Sequence, residues 1–141
     1  MSALVFDIET IGEEYDSLDE TTQEQLTRWI RETSSSDEEY EHALESVRDG
    51  MGLSPLTGEI VAIGVLDTEK GKGAVFYQAP GSKEKETEEH GIKFKPMNEK
   101  EMLEAFWEGV KEYDEVVSFN GRMFDAPFMA VRSAIHGVRP S

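Results

Sequence analysis

The chain of 141 residues contains no cysteine. That excludes a disulfide framework, a thiolate metal site and a thiol nucleophile. No run of residues approaches the roughly 18 consecutive apolar positions of a membrane span. The N-terminus, MSALVFDIET, has no basic stretch ahead of its apolar run and does not read as a secretion signal. The expectation is a soluble, cytoplasmic protein with no membrane association. Basic residues are also scarce, with 14 Lys and Arg against 30 Asp and Glu, for a net charge of −16. A protein that wraps nucleic acid with its whole surface is usually basic, so the distribution of charge matters more here than its sum. The acidity is uneven. Residues 1–50 hold 15 acids and 3 basic side chains, while residues 51–141 hold 15 and 11. The acidic block reads first as a solvated surface.

A hydrophobic content of 38% is enough for one packed core. The run Ala3 to Ile8 reads as a buried strand. Asp19 to Ile30 reads as a helix with Leu18, Leu26, Trp29 and Ile30 on its apolar face. Ser34 to Glu39 carries a helix-start signal, and Tyr40, Ala43, Leu44 and Val47 recur at helical spacing. Glu59–Leu66 and Lys72–Gln78 read as a strand hairpin. Residues 80–97 read as a loop. Asn98 caps a helix whose face is Met102, Leu103, Phe106, Trp107 and Val110. Glu115 to Phe119 is a further strand. Asp125 is placed to cap a last helix through about His136, with Pro127 tolerated in its first turn. This order predicts an α/β domain with a mixed sheet.

Two constellations stand out against that background. Asp7 and Glu9 lie two apart near the end of the first strand, so both carboxylates share one face. Burying two acids on an apolar strand is expensive unless a cation compensates, and a divalent ion held by hard oxygens would do so. A strand that frays into solvent at Glu9 is the plainer alternative. The segment SFNGRMFDAPFM, residues 118–129, joins a strand end, an Asn-Gly turn, an aromatic residue and an aspartate at a helix start. An ordinary helix cap at Asp125, with Phe124 and Phe128 in the core, is its plainer reading.

Together the two segments resemble the first two motifs of the DEDD superfamily of 3′–5′ exonucleases. VFDIET is similar to the first motif and NGRMFDAP to the second. Within that superfamily the sequence looks most like the predicted exonucleases related to the proofreading domain of family B DNA polymerases. SLDETTQEQL and LSPLTGEIVAIGVLD add to this likeness, which covers nearly the whole chain. The resemblance implies a ribonuclease H-like mixed sheet flanked by helices. It also implies phosphodiester hydrolysis of nucleic acid by a two-metal mechanism using Mg²⁺ or Mn²⁺. Asp7, Glu9 and Asp125 would be the metal-binding and catalytic residues. Asp7 would bridge both ions, Glu9 would hold the water-activating ion, and Asp125 would assist the second. Thr10, Asn120 and Phe124 would contact the substrate, expected to be a single-stranded DNA 3′ end.

The family's third motif is a Tyr or His followed a few residues later by Asp, on a helix beyond a fifth strand. The last sixteen residues, APFMAVRSAIHGVRPS, contain no Asp or Glu, and His136 has no such partner. The expectation is one incomplete domain over residues 1–141, lacking the fifth strand and last helix, with an acidic helical insertion at about 13–50. Impaired activity and a homodimer formed through the 115–119 edge follow from that expectation. A non-catalytic nuclease-like binding module is the alternative. An acidic interaction surface over Ser34–Glu45 that mimics nucleic acid is a weaker one.

Overall fold

The computed structural model describes residues 2–119 and 121–140, with Arg122 in its backbone only. By internal contacts the chain divides into two compact units. One comprises residues 1–10 and 60–141, the other residues 11–59. No helix among the described residues is long and apolar enough to cross a membrane.

The larger unit is built on a mixed sheet. Its strands are β1 (Ala3–Gly12), β2 (Gly58–Asp67), β3 (Lys72–Tyr77), β4 (Thr87–Glu89), β5 (Ile92–Pro96) and β6 (Glu115–Val117), in the order β4-β5-β3-β2-β1-β6. β2 and β3 form the expected antiparallel hairpin, while β1 pairs β6 in parallel. Side chains alternate along β1. Leu4, Phe6 and Ile8 are buried, and Val5, Asp7 and Glu9 are exposed. The buried face meets two helices, α3 (Glu99–Val110) and α4 (Ala126–His136). Phe6, Ile8, Ile60, Ile63 and Phe76 pack there on Met102, Leu103 and Phe106 of α3 and on Phe128 and Met129 of α4. Removing one of these rings, as in Phe128→Ala, costs about 3–5 kcal/mol.

Asn98 caps α3 as expected. Its side chain accepts from the Glu101 N–H at 2.9 Å, and the Glu101 carboxylate accepts from the Asn98 N–H at 3.0 Å. α4 ends at Gly137 with φ +69°, a left-handed turn that a Cβ would strain.

The smaller unit contains two helices, α1 (Glu20–Thr33) and α2 (Asp37–Asp49). Asp19 caps α1 by accepting from the Thr22 N–H at 2.7 Å, and Ser36 caps α2 by accepting from the Glu39 N–H at 3.1 Å. Arg48 forms a two-point ion pair with Asp16 at 3.0 Å and lies over the Tyr15 ring.

Several expectations need correction. Residues 80–97 are not simply a loop, because β4 and β5 form a hairpin there. Its turn is made by His90 and Gly91, both with positive φ. A threonine and two glutamates in TEE hid β4, since an exposed edge strand needs no apolar alternation. Trp29 is 59% exposed, and Thr27 takes the buried place on α1 with its hydroxyl donating to the Gln23 carbonyl at 2.8 Å. β6 stops at Val117, and the chain bends at Phe119.

Candidate active site

Strand alternation places the two motif acids of β1 on one face, as their spacing requires. Asp7 and Glu9 are both exposed there, and Thr10 follows half-buried. Asn120 lies outside the described residues. Phe124 does not stand free. Its ring lies 5.4 Å from that of Phe128 and packs against the core.

Asp125 behaves differently from a helix cap. It sits at the junction of a π-helical turn (Gly121–Asp125) and α4, with helical backbone angles and no capping hydrogen bond. Wide turns of this kind occur often at functional sites. The carboxylate points inward and is only 5% exposed. Ser118 Oγ donates to its Oδ2 at 3.1 Å. Burial pushes the Asp125 carboxyl above the usual carboxylate range. The Ser118 bond offsets part of that rise, and the negative charge of Asp7 adds to it. The charge of Asp7 on β1 is thus felt by Asp125 at the start of α4. Glu9 does not complete a larger cluster. Among the described residues no group of three or more His, Cys, Asp or Glu is placed to hold a metal ion.

Ser118 has no assigned role in the sequence motif, and it is the residue that orients Asp125. Its signal was the hydroxyl placed just ahead of the Asn-Gly turn. Gly121 makes that arrangement possible. A Cβ there would lie 2.9 Å from both Cβ and Oγ of Ser118.

A second buried carboxylate was also illegible in the motifs. Glu99 opens α3 and is 4% exposed. It accepts from the Ile60 N–H at 2.6 Å and from Arg132 Nε at 3.0 and 3.1 Å. The Arg132 terminal nitrogen also bonds it, and His136 Nε2 lies 2.6 Å away. Burial works to raise this carboxyl. The bonds from Arg132, Ile60 and His136, with the Arg132 charge, outweigh it and hold Glu99 below the usual range. Arg132 and His136 therefore serve the fold.

The donors at Asp7 and Asp125 are hard carboxylate oxygens. That chemistry suits Mg²⁺ or Mn²⁺ and not a thiophilic ion. A cation between them would remove both the repulsion and part of the burial penalty.

An α/β fold with an exposed acid pair on β1 and a buried acid at the start of α4 is the setting, and comparison with known proteins narrows the class. The family described as predicted 3′–5′ exonucleases related to the exonuclease domain of PolB matches residues 57–141, and the chain belongs to it. That match includes Asp125 and begins beyond Asp7 and Glu9. A DNA polymerase of Methanocaldococcus jannaschii is 42% identical over 41 residues, which is 29% of this chain and 2% of the polymerase. Among solved structures, the family B DNA polymerase of the hyperthermophilic archaeon Pyrobaculum calidifontis is similar over 97% of this chain and 11% of that chain. The identity is 21% and the TM-score 0.48. The chain thus spans a small fraction of either polymerase.

Proposed function

We propose that this chain is a metal-dependent 3′–5′ exonuclease domain acting on single-stranded DNA ends. The observation that carries the reading is Asp125, a buried carboxylate that accepts from Ser118 Oγ and feels the negative charge of Asp7. A fold does not retain such repulsion for stability, and perturbed acids of this kind mark functional sites. Asp7 and Asp125 would hold a divalent ion, with Glu9 as a further carboxylate on the Asp7 face. Bound Mg²⁺ or Mn²⁺ would activate water and stabilise charge on the leaving oxygen. Ser118 fixes the Asp125 carboxylate, so less ordering is needed when an ion arrives. Thr10, Phe124 and Asn120 would contact the terminal nucleotide, with Phe124 acting from a ring already braced by Phe128.

Two acids hold an ion weakly, so millimolar metal and slow turnover are expected. A non-catalytic binding module is the competing reading. What favours it is the lack of a three-acid group among the described residues. Digestion of a 5′-labelled single-stranded oligonucleotide in Mn²⁺ separates the two. A ladder shortened from the 3′ end, lost in both Asp7→Asn and Asp125→Asn, supports the exonuclease. No product at any metal concentration, or product unaffected by both substitutions, favours the module.

A further inference from the structure

The protein carries −16, yet six of its eight lysines fall between residues 70 and 95. The fold brings three of them together. β3 and β5 run parallel and each begins at a tight turn, so the turns around residues 67–72 and 89–92 lie at the same end of the sheet. Gly71 and Gly91 take positive φ there, and the Gly73 N–H donates to the Gly91 carbonyl at 3.1 Å. Lys93 stands in register with Ala74, which pairs with Val65. Val65 and Ala74 pack against the core, so this row is on the helix-covered side. Lys72, two residues before Ala74 on β3, shares that face and stands opposite Asp67.

Lys70, Lys72 and Lys93 line a trough of about 500 Å³ whose wall includes Tyr113. None of the three forms an ion pair among the described residues. The two acids in the wall, Asp67 and Glu88, offset part of this charge and leave the lining one positive charge in excess, with Asp67 coupled to Lys70. Asp67 accepts from the N–H groups of Glu69 and Lys70 at 3.0 Å and from the Tyr113 hydroxyl at 2.9 Å. Glu88 stands across from Lys93 on β4 and is exposed. Lysines on edge strands commonly block unwanted strand pairing. That explanation does not reach Lys72 and Lys93, because β3 and β5 are both interior strands.

We propose that this trough binds the phosphodiester backbone of single-stranded nucleic acid, as a contact separate from the acid pair. The choice of nucleic acid as the polyanion rests on the exonuclease reading, while the cationic trough does not. Leu4 lines the trough, and Asp7 lies three residues further along β1 on its other face. At roughly 3.3 Å per residue that is about 10 Å along the strand. The trough would hold the strand away from the reacting nucleotide and offset repulsion from the acidic surface.

The test is anisotropy of a short fluorescein-labelled oligothymidylate with the full chain in EDTA, where metal-mediated binding is absent. Three lysine–phosphate contacts predict a slope of log K against log salt of about −2. Affinity would then fall roughly 20-fold between about 50 and 200 mM NaCl. Lys72→Glu with Lys93→Glu should weaken binding at least tenfold without changing the melting temperature, since both side chains are exposed. Glu88→Gln should tighten binding, an outcome that misfolding cannot produce. If free phosphate is the ligand instead, inorganic phosphate will bind the wild type with the same lysine dependence and the oligonucleotide will add no affinity. That result, or affinity unaffected by the lysine and Glu88 changes, would overturn the proposal. The Mn²⁺ dependence of digestion is read separately, so the exonuclease reading can fail or stand on its own.

Discussion

Glu99 and Asp125 are both carboxylates buried to within a few percent of full enclosure, at the starts of neighbouring helices. Their surroundings differ in sign. Glu99 meets a guanidinium, an imidazole and a backbone N–H, and it is held below the usual carboxylate range. Asp125 meets a serine hydroxyl and feels the charge of Asp7, and burial holds it above that range. Burial alone therefore says little about purpose. A buried acid with its cations built into the chain braces the fold, as Glu99 does for α3, α4 and β2. A buried acid facing a like charge is a liability until a cation comes from outside.

The comparison fails first if Glu99 can be unpaired cheaply. Arg132→Ala should destabilise the chain by about 3–5 kcal/mol, because it leaves a buried carboxylate without its main partner. Urea unfolding would measure this, and a loss near zero would mean Glu99 is not a brace. Asp125→Asn should act in the opposite direction. It should raise metal-free stability by roughly 1 kcal/mol, as removal of strain at a functional site often does. It should also abolish the stabilisation that Mn²⁺ gives the wild type. That stabilisation is about 1.4 kcal/mol at a tenfold excess over Kd. Thermal melts with and without Mn²⁺ read both effects.

Acid titration sharpens the contrast. Glu99, with its lowered carboxyl, contributes stability that is present above the ordinary value near 4.3 and lost as pH falls through its folded value. Asp125, with its raised carboxyl, costs stability at neutral pH. That cost disappears as pH falls through its folded value toward the ordinary 3.9. The advantage of Asp125→Asn over wild type should thus be largest at neutral pH and vanish below about 4. An advantage independent of pH would show that charge is not its source. The smallest effect is expected at Ser118. Ser118→Ala should weaken Mn²⁺ binding about two- to tenfold, equivalent to about 0.5–1.5 kcal/mol, with little change in metal-free melting. Ser118→Thr, which restores the hydroxyl, should recover it in calorimetric titration.

Much of the helix and strand order was legible because apolar spacing and caps are local. Asn98 caps its helix as the pattern indicates, Ser36 caps within the Ser34–Glu39 start signal, and Asp19, read as the first helical residue, is the cap of α1. The β4–β5 hairpin was not legible, because Thr87–Glu89 is polar at every position and its pairing partner is what makes it a strand. The acids of the site could be named from motifs, but their surroundings could not. That Ser118 rather than the helix terminus meets Asp125 depends on the π-helical turn and on space at Gly121. The Glu99 brace joins residues 33 and 37 positions apart, and no local pattern announces it.

The most direct test of the contrast is paramagnetic broadening of amide NMR signals by substoichiometric Mn²⁺. The predicted result is selective loss of the signals of Asp7, Ser118 and Asp125, with those of Glu99 and Arg132 retained, and recovery of all of them in Asp125→Asn. Broadening centred on the acidic helix Asp37–Asp49, or unchanged by that substitution, would contradict the assignment of Asp7 and Asp125 as the metal-binding pair.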